Sequence, residues 1–232
     1  MTDKLPDKYP EIQFASDRSI LIMVGNEISI EIHIKVYKIF SLISSSEFTG
    51  VQSIHPAYNS ILVTFNPCII HPNEITEKIK SLLTNNSSLE IHDRGIIEIP
   101  VCYNEEFAPD ISIVAKHNSL AIEEVIQIHS RPEYLVYFLG FSPGFPYLGE
   151  MPKELTTPRL PTPRIKVPAG SVAIGGDHTG IYPLPSPGGW NIIGITPKKL
   201  FLPDNLNPTL LMMGDKIKFI PITKNEFEEM NN

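Results

Sequence analysis

Residues 140 to 200 hold eleven of the chain's 22 prolines and ten of its 14 glycines. Each proline locks φ and removes an amide donor, whereas each glycine opens backbone angles that other residues reach only with strain. A segment built this way cannot be a helix. Yet Phe141, Phe145, Tyr147, Leu148, Val172, Ile174, Ile181, Tyr182, Trp190, Ile192 and Ile193 recur through it too densely for a disordered linker, and it has no low-complexity bias. The pattern predicts short strands and tight turns that together form a shaped surface. The plain alternative is a Pro/Gly-rich β scaffold with no site in it.

A chain of 232 residues suffices for one large or two small domains, each with its own core, and the pattern below favours two. No apolar run approaches the roughly 18 residues that cross a bilayer, and the N-terminal MTDKLPDKYPEIQF lacks the apolar core of a signal peptide. A cytoplasmic protein without a membrane partner is the expectation. The net charge of −7 argues against nucleic acid, whose phosphates demand a basic face. Residues 140 to 200 depart from that balance, with six Lys/Arg against three Asp/Glu. An anionic small molecule suits that segment. Cys68 and Cys102 lack any metal-type or C-x-x-C spacing and read as two buried thiols.

Up to about residue 95 the periodicity alternates between strand and helix. RSILIMVG predicts a strand, and Ser29 can cap a helix whose positions Ile32, Val36, Ile39, Phe40 and Ile43 share one face. VQSIHP and YNSILVTF predict two strands, and Asn73 begins a second helix with Ile75, Ile79, Leu82 and Leu83 inward. The order is β, β, α, β, β, α. The polar TNNSSLEIHDRG marks the boundary, giving a small α/β domain over 1–95 and a second domain over 96–232. Asn85 and Asn86 each begin a glycosylation sequon, a chance match without a secretory route. In the second domain IIEIPVCY predicts a strand, DISIVAKHN and SLAIEEVIQIHS two short helices, the latter capped by Ser119, and strands run to the end at MMGDKIKFIPI. A closed or nearly closed β-barrel is the natural architecture, so the fold class is α+β.

Gly140-Phe141-Ser142-Pro143-Gly144 matches the G-x-S-x-G pattern of serine hydrolases and fails it physically. That elbow needs the amide after the serine as an oxyanion donor and a helix starting there, and Pro143 has no N–H. Thr157-Pro158-Arg159 and Thr162-Pro163-Arg164 repeat a triplet and hold two of the five arginines. A proline before each arginine pre-orders the backbone, so aiming a guanidinium at a carboxylate or phosphate costs less entropy. Arg159, Arg164 and Lys166 are therefore candidate anion contacts. Gly175-Gly176-Asp177-His178-Thr179-Gly180 lacks the Lys-Ser/Thr and the helix of a phosphate loop and reads as a turn between strands that sets His178 beside the arginines' ligand. His129 ends an amphipathic helix, where the dipole favours the imidazolium, and is either a tuned site residue or a simple cap. The histidines show no zinc spacing, so no metal is expected. Trp190 reads as a core anchor or a stacking platform.

The strings EEVIQIHS, YLVYFLGFSPGFPYLG, TPR-x-x-TPR, VPAGSVAIGG, TGIYPLPSPGGW and IIG-x-TP, in this order, resemble one family. It is that of the 5-oxoprolinase B subunits, also described as allophanate hydrolase subunit 1 and as sporulation kinase-A inhibitors. The resemblance spans most of residues 96 to 221, with YNSILVTFNP adding weaker support. It implies a cyclophilin-like β-barrel behind a small α/β domain. It also implies assembly with a homologous C subunit and an A subunit of the lactam-utilisation type into a complex that opens 5-oxoproline to glutamate with ATP. The chain carries no ATP motif of its own, and on this reading is inactive alone. Alternatives from the same resemblance are a regulator that binds and inhibits a sensor histidine kinase, and a component of an allophanate hydrolase-like enzyme. A groove near PGFPY and VPAGS is implied as the binding region, carried here onto Phe145, Tyr147, Arg159, Arg164, Ser171 and His178. No residue is singled out as catalytic. The chain has Ile195 where the family commonly has Arg, and His178 where it commonly has Gln before TGIYP.

Overall fold

The computed structural model describes residues 9–46, 48–84 and 94–231, and the chain divides into two compact units, 1–92 and 93–232. The polar segment read as the boundary lies mostly in 85–93, outside the described residues, as do both sequons.

The first unit follows the ββαββα order. Strands β1 (Glu11–Ser16), β2 (Ser19–Met23), β3 (Val51–Pro56) and β4 (Ser60–Phe65) form an antiparallel sheet in the order β1-β2-β4-β3. β4 alternates strictly, with Ile61, Val63 and Phe65 fully buried, as a strand with one core face must. Helices α1 (Ile30–Ser45) and α2 (Pro72–Thr84) bury Ile32, Val36, Ile39, Ile43, Ile75 and Ile79. Ser29 caps α1 as expected: its Oγ accepts the Ile32 N–H at 3.3 Å. Cys68 departs from the expectation. It is exposed in the turn after β4, where its N–H is held by the Asn66 side chain at 3.0 Å.

The second unit is built on a closed barrel of seven strands. These are β5 (Ile96–Cys102), β6 (Glu133–Leu139), β7 (Pro146–Gly149), β9 (Ser171–Gly175), β10 (His178–Ile181), β12 (Asn191–Ile195) and β13 (Lys216–Ile222), in the order β10-β7-β6-β13-β5-β12-β9. Closure leaves no open edge, which is how a sheet of short strands avoids pairing with foreign chains. β5 and β13 pair in parallel and the other barrel pairs are antiparallel. A separate ribbon joins β8 (Arg164–Val167) to β11 (Ser186–Gly188). Arg94 braces the start of the unit against the buried Asp215 at 2.8 Å.

Helices α3 (Ile111–Asn118) and α4 (Ile122–Ser130) pack on the barrel core through Ile111, Val114, Ala115 and Val125. Ser119 does not cap α4. It takes the left-handed conformation at the end of α3, its N–H reaching the Ala115 and Lys116 carbonyls, while the Glu124 carboxylate accepts the Ala121 N–H and closes α4 instead. The chain also ends in a helix the periodicity left out, α5 (Lys224–Asn231). Its signal was the Thr223-x-x-Glu226 capping box, with Glu226 accepting from Thr223 N–H at 2.7 Å.

His129 is fully buried, and the positive charge expected from the helix dipole is absent at neutral pH. Desolvation drives its pKa down to about 3. Thr179 Oγ1 donates to the Ala173 carbonyl, so it accepts from His129 Nε2–H at 2.9 Å, and Nδ1 accepts the Tyr103 hydroxyl at 2.8 Å. The imidazole stacks on Phe219 at 4.5 Å. His33, buried in α1, is lowered by burial to about 4.

Ser29→Ala removes one cap and lowers stability by about 1 kcal/mol in urea unfolding, with α1 retained by circular dichroism. For the two histidines the folded pKa lies below the unfolded value of 6.5, so between these limits the unfolded chain binds the extra protons. Stability therefore falls as pH drops below 6.5, by about 1.4 kcal/mol per pH unit for each histidine. Urea midpoints between pH 7 and 5 should show the decline, and His129→Gln should flatten it in the barrel unit.

Candidate functional site

The Pro/Gly-rich loops converge on one cleft at the side of the barrel, about 170 Å³ in volume. The loop between β6 and β7 contributes Phe141 and Phe145, β7 contributes Tyr147, and the segment before β8 contributes Arg159, Leu160 and Pro163. Tyr182, just past β10, and the Gly188-Gly189-Trp190 corner between β11 and β12 complete the lining.

Each wall has a local cause. The Gly140-Phe141-Ser142-Pro143-Gly144 loop is a hairpin turn, with Ser142 N–H on the Gly140 carbonyl at 2.7 Å and Phe145 N–H on the Ser142 carbonyl at 3.0 Å. A strand follows it, not the helix of a nucleophile elbow. Gly144 takes φ of +81°, closed to most side chains. The first TPR triplet is fixed by paired backbone bonds between Thr157 and Gly176 at 3.0 and 2.8 Å, and Asn191 Nδ2 donates to the Pro158 carbonyl at 2.9 Å. Leu160 N–H reaches the Gly189 carbonyl at 2.7 Å, joining two walls directly.

Phe145 is the hub, 2% exposed, with its ring edge-on or tilted to Tyr147, Tyr182 and Trp190 at 5.2, 5.2 and 5.5 Å. Trp190 is a core residue at 7% exposure, as one of its two readings had it, and it also lines the cleft. The indole's approach depends on Gly175, where a Cβ would meet it, and that of Tyr182 on Gly188, where one would collide with the phenol hydroxyl. Burial pushes the pKa of Tyr147 and Tyr182 upward and the nearby Arg159 charge pulls against it, with burial the larger cause. Both phenols stay protonated at neutral pH.

Of the eight residues singled out from the sequence, the cleft gathers Phe145, Tyr147 and Arg159. The Arg159 guanidinium sits over the Trp190 ring at 5.9 Å. Arg164 is drawn elsewhere: its Nη2 donates to Asp110 Oδ1 at 2.7 Å, and the other Asp110 oxygen accepts the Ile192 N–H at 2.7 Å. Lys166 is exposed on β8, and Ser171 is buried in β9. His178 opens β10 in the predicted hairpin turn with its Nδ1 on Asp177, and does not line the cleft. His129 is in the barrel core.

Asp110 escaped the sequence reading. Its position before α3 is that of a helix cap, but its carboxylate makes no cap bond and is spent on β8 and β12. Nothing local in the sequence marks a partner 54 residues away. Leu160 and Pro163 were hidden in the same way. Among the described residues no three His, Cys, Asp or Glu side chains cluster as metal ligands.

Arg164→Ala leaves the 3% exposed Asp110 carboxylate without its cation. Equilibrium unfolding should show a loss of about 3 kcal/mol, and Arg164→Lys should recover part of it. A change under about 1 kcal/mol, the range of an exposed ion pair, would remove Arg164 from the scaffold.

A model of the carboxyltransferase domain, subdomain C and D, matches residues 10–211. The chain is 40% identical over 227 residues to the 5-oxoprolinase B subunit of Bacillus subtilis strain 168, covering 94% of this chain and 95% of that protein. The B subunit of the Escherichia coli O157:H7 5-oxoprolinase is 47% identical over 75% of this chain and 80% of its own length. Among solved structures, the Kluyveromyces lactis urea carboxylase shares the fold at 19% identity and a TM-score of 0.74, over 94% of this chain. This chain spans 22% of that far longer one. With the match running through both units, the chain belongs to the carboxyltransferase domain, subdomain C and D, family.

Proposed function

We propose that this chain is one component of a 5-oxoprolinase, which opens the lactam ring of 5-oxoproline to glutamate with ATP in company with partner subunits. The observation that carries this reading is the near end-to-end alignment with the Bacillus subtilis B subunit, covering 94% of one chain and 95% of the other. The chemistry agrees with a divided assembly. A lactam carbonyl is a poor electrophile, so ring opening at neutral pH calls for activation and for charge stabilisation at the carbonyl oxygen. The described residues offer no glycine-rich loop running into a helix for a nucleotide, since Gly175–Gly180 forms the β9–β10 hairpin. In this reading ATP is handled by an A subunit of lactam-utilisation type, working together with a homologous C subunit. This chain contributes the aromatic cleft, with Phe145, Tyr147 and Arg159 as the ligand-facing members of the sequence candidates.

Co-expression with the two partner types and assay of 5-oxoproline-dependent ATP hydrolysis and glutamate release test the proposal. Activity is expected in the full mixture and absent from this chain alone. Turnover that is missing from the full mixture, or undiminished when this chain is left out, would overturn it.

A further inference from the structure

The cleft is chemically one-sided. Arg159 is the one charged residue in its lining, and among the described residues no carboxylate pairs with it. The other titratable groups in its lining are two phenols, whose pKa burial pushes further up. The Tyr182 O–H is a donor that a ligand in the cleft can use. Around these donors stand the faces and edges of Phe145, Trp190 and Phe141. Arg164, the other arginine of the repeated triplet, is taken by Asp110.

We infer that the cleft takes a small ring carrying one carboxylate and no ammonium group, with Arg159 as the partner of the carboxylate and Trp190 as the wall against which the ring lies. The identity of that ring as 5-oxoproline rests on the 5-oxoprolinase reading; the charge rule does not. A carboxylate answers the unpaired guanidinium, and an amide carbonyl can accept from a phenol. An ammonium finds no acid in the lining and stands beside Arg159, where like charges repel. L-Proline, whose ammonium is attached to the carbon bearing its carboxylate, is rejected on this ground. The same rule separates substrate from product: ring opening converts the neutral amide nitrogen into the ammonium of glutamate and frees a second carboxylate. Glutamate is expelled by the group that the reaction creates.

Two measurements test this independently of each other. In the reconstituted complex, Arg159→Met should raise KM for 5-oxoproline about tenfold with kcat within about twofold, and Arg159→Lys should restore part of the loss. Arg159 is exposed, so its replacement leaves the thermal midpoint unchanged. In the isolated chain the single tryptophan, Trp190, reports occupancy by its emission. Cyclopentanecarboxylate and 5-oxoproline should perturb it, with 2-pyrrolidinone and L-proline about tenfold weaker or more, and Arg159→Met should abolish the difference.

An active complex in which Arg159→Met leaves KM unchanged overturns the inference and leaves the 5-oxoprolinase reading standing. An inactive complex overturns that reading, and the emission titration then decides the inference alone. Equal response to proline and cyclopentanecarboxylate, or no response to any probe, rejects it.

Discussion

A buried carboxylate holds the working face of the barrel together. Asp110 is 3% exposed at its side chain and bonds a guanidinium on the β8–β11 ribbon with one oxygen and a backbone N–H of β12 with the other, both at 2.7 Å. Its own N–H returns to the Ile192 carbonyl at 3.0 Å. One residue before α3 thus ties a helix, a barrel strand and an outlying ribbon. A charge withdrawn from water survives only when its oxygens are answered, and here both are. Pro163, just before β8, Gly188 at the end of β11, and Gly189 and Trp190, which lead into β12, all line the cleft, so it inherits its shape from that junction.

On this support the stiffness of the loops becomes useful. Prolines and close-packed aromatic rings leave few rotamers to lose when a ligand arrives, which reduces the ordering cost of binding. The glycines do the opposite work, removing Cβ atoms where Trp190 and Tyr182 must approach the backbone. Both compositional excesses of residues 140 to 200 therefore serve one object. The local surplus of positive charge does so only in part. Arg164 goes to the scaffold, Lys166 faces solvent, and Arg159 remains in the cleft.

The polar groups around His129 obey the same accounting. His129, Tyr103, Thr179 and Tyr134 form a chain in which each donor has an acceptor, with the Tyr134 hydroxyl closing on the His129 carbonyl at 2.8 Å. Satisfied in this way, a neutral histidine is an ordinary core residue, packed on Phe219. The dipole argument that marked it as a candidate was sound for a surface helix end. Desolvation by the barrel core outweighs it.

Periodicity and turn chemistry alone determined the element order of the first unit, the Ser29 cap, the hairpin at Gly175–His178 and the barrel character of the second. These features rest on interactions between neighbours a few residues apart, which composition and spacing record directly. The sequence also determined that residues 140 to 200 are shaped rather than disordered, because proline and glycine act on their own backbone. Only the tertiary structure decided which arginine of two identical triplets faces the cleft. The decision depends on Asp110, 54 residues from Arg164, and on the Trp190 indole that Arg159 sits over. Burial likewise separated His129 from the cleft and Cys68 from the core. Solvent exposure and long-range pairing belong to the folded chain as a whole, and no local pattern carries them.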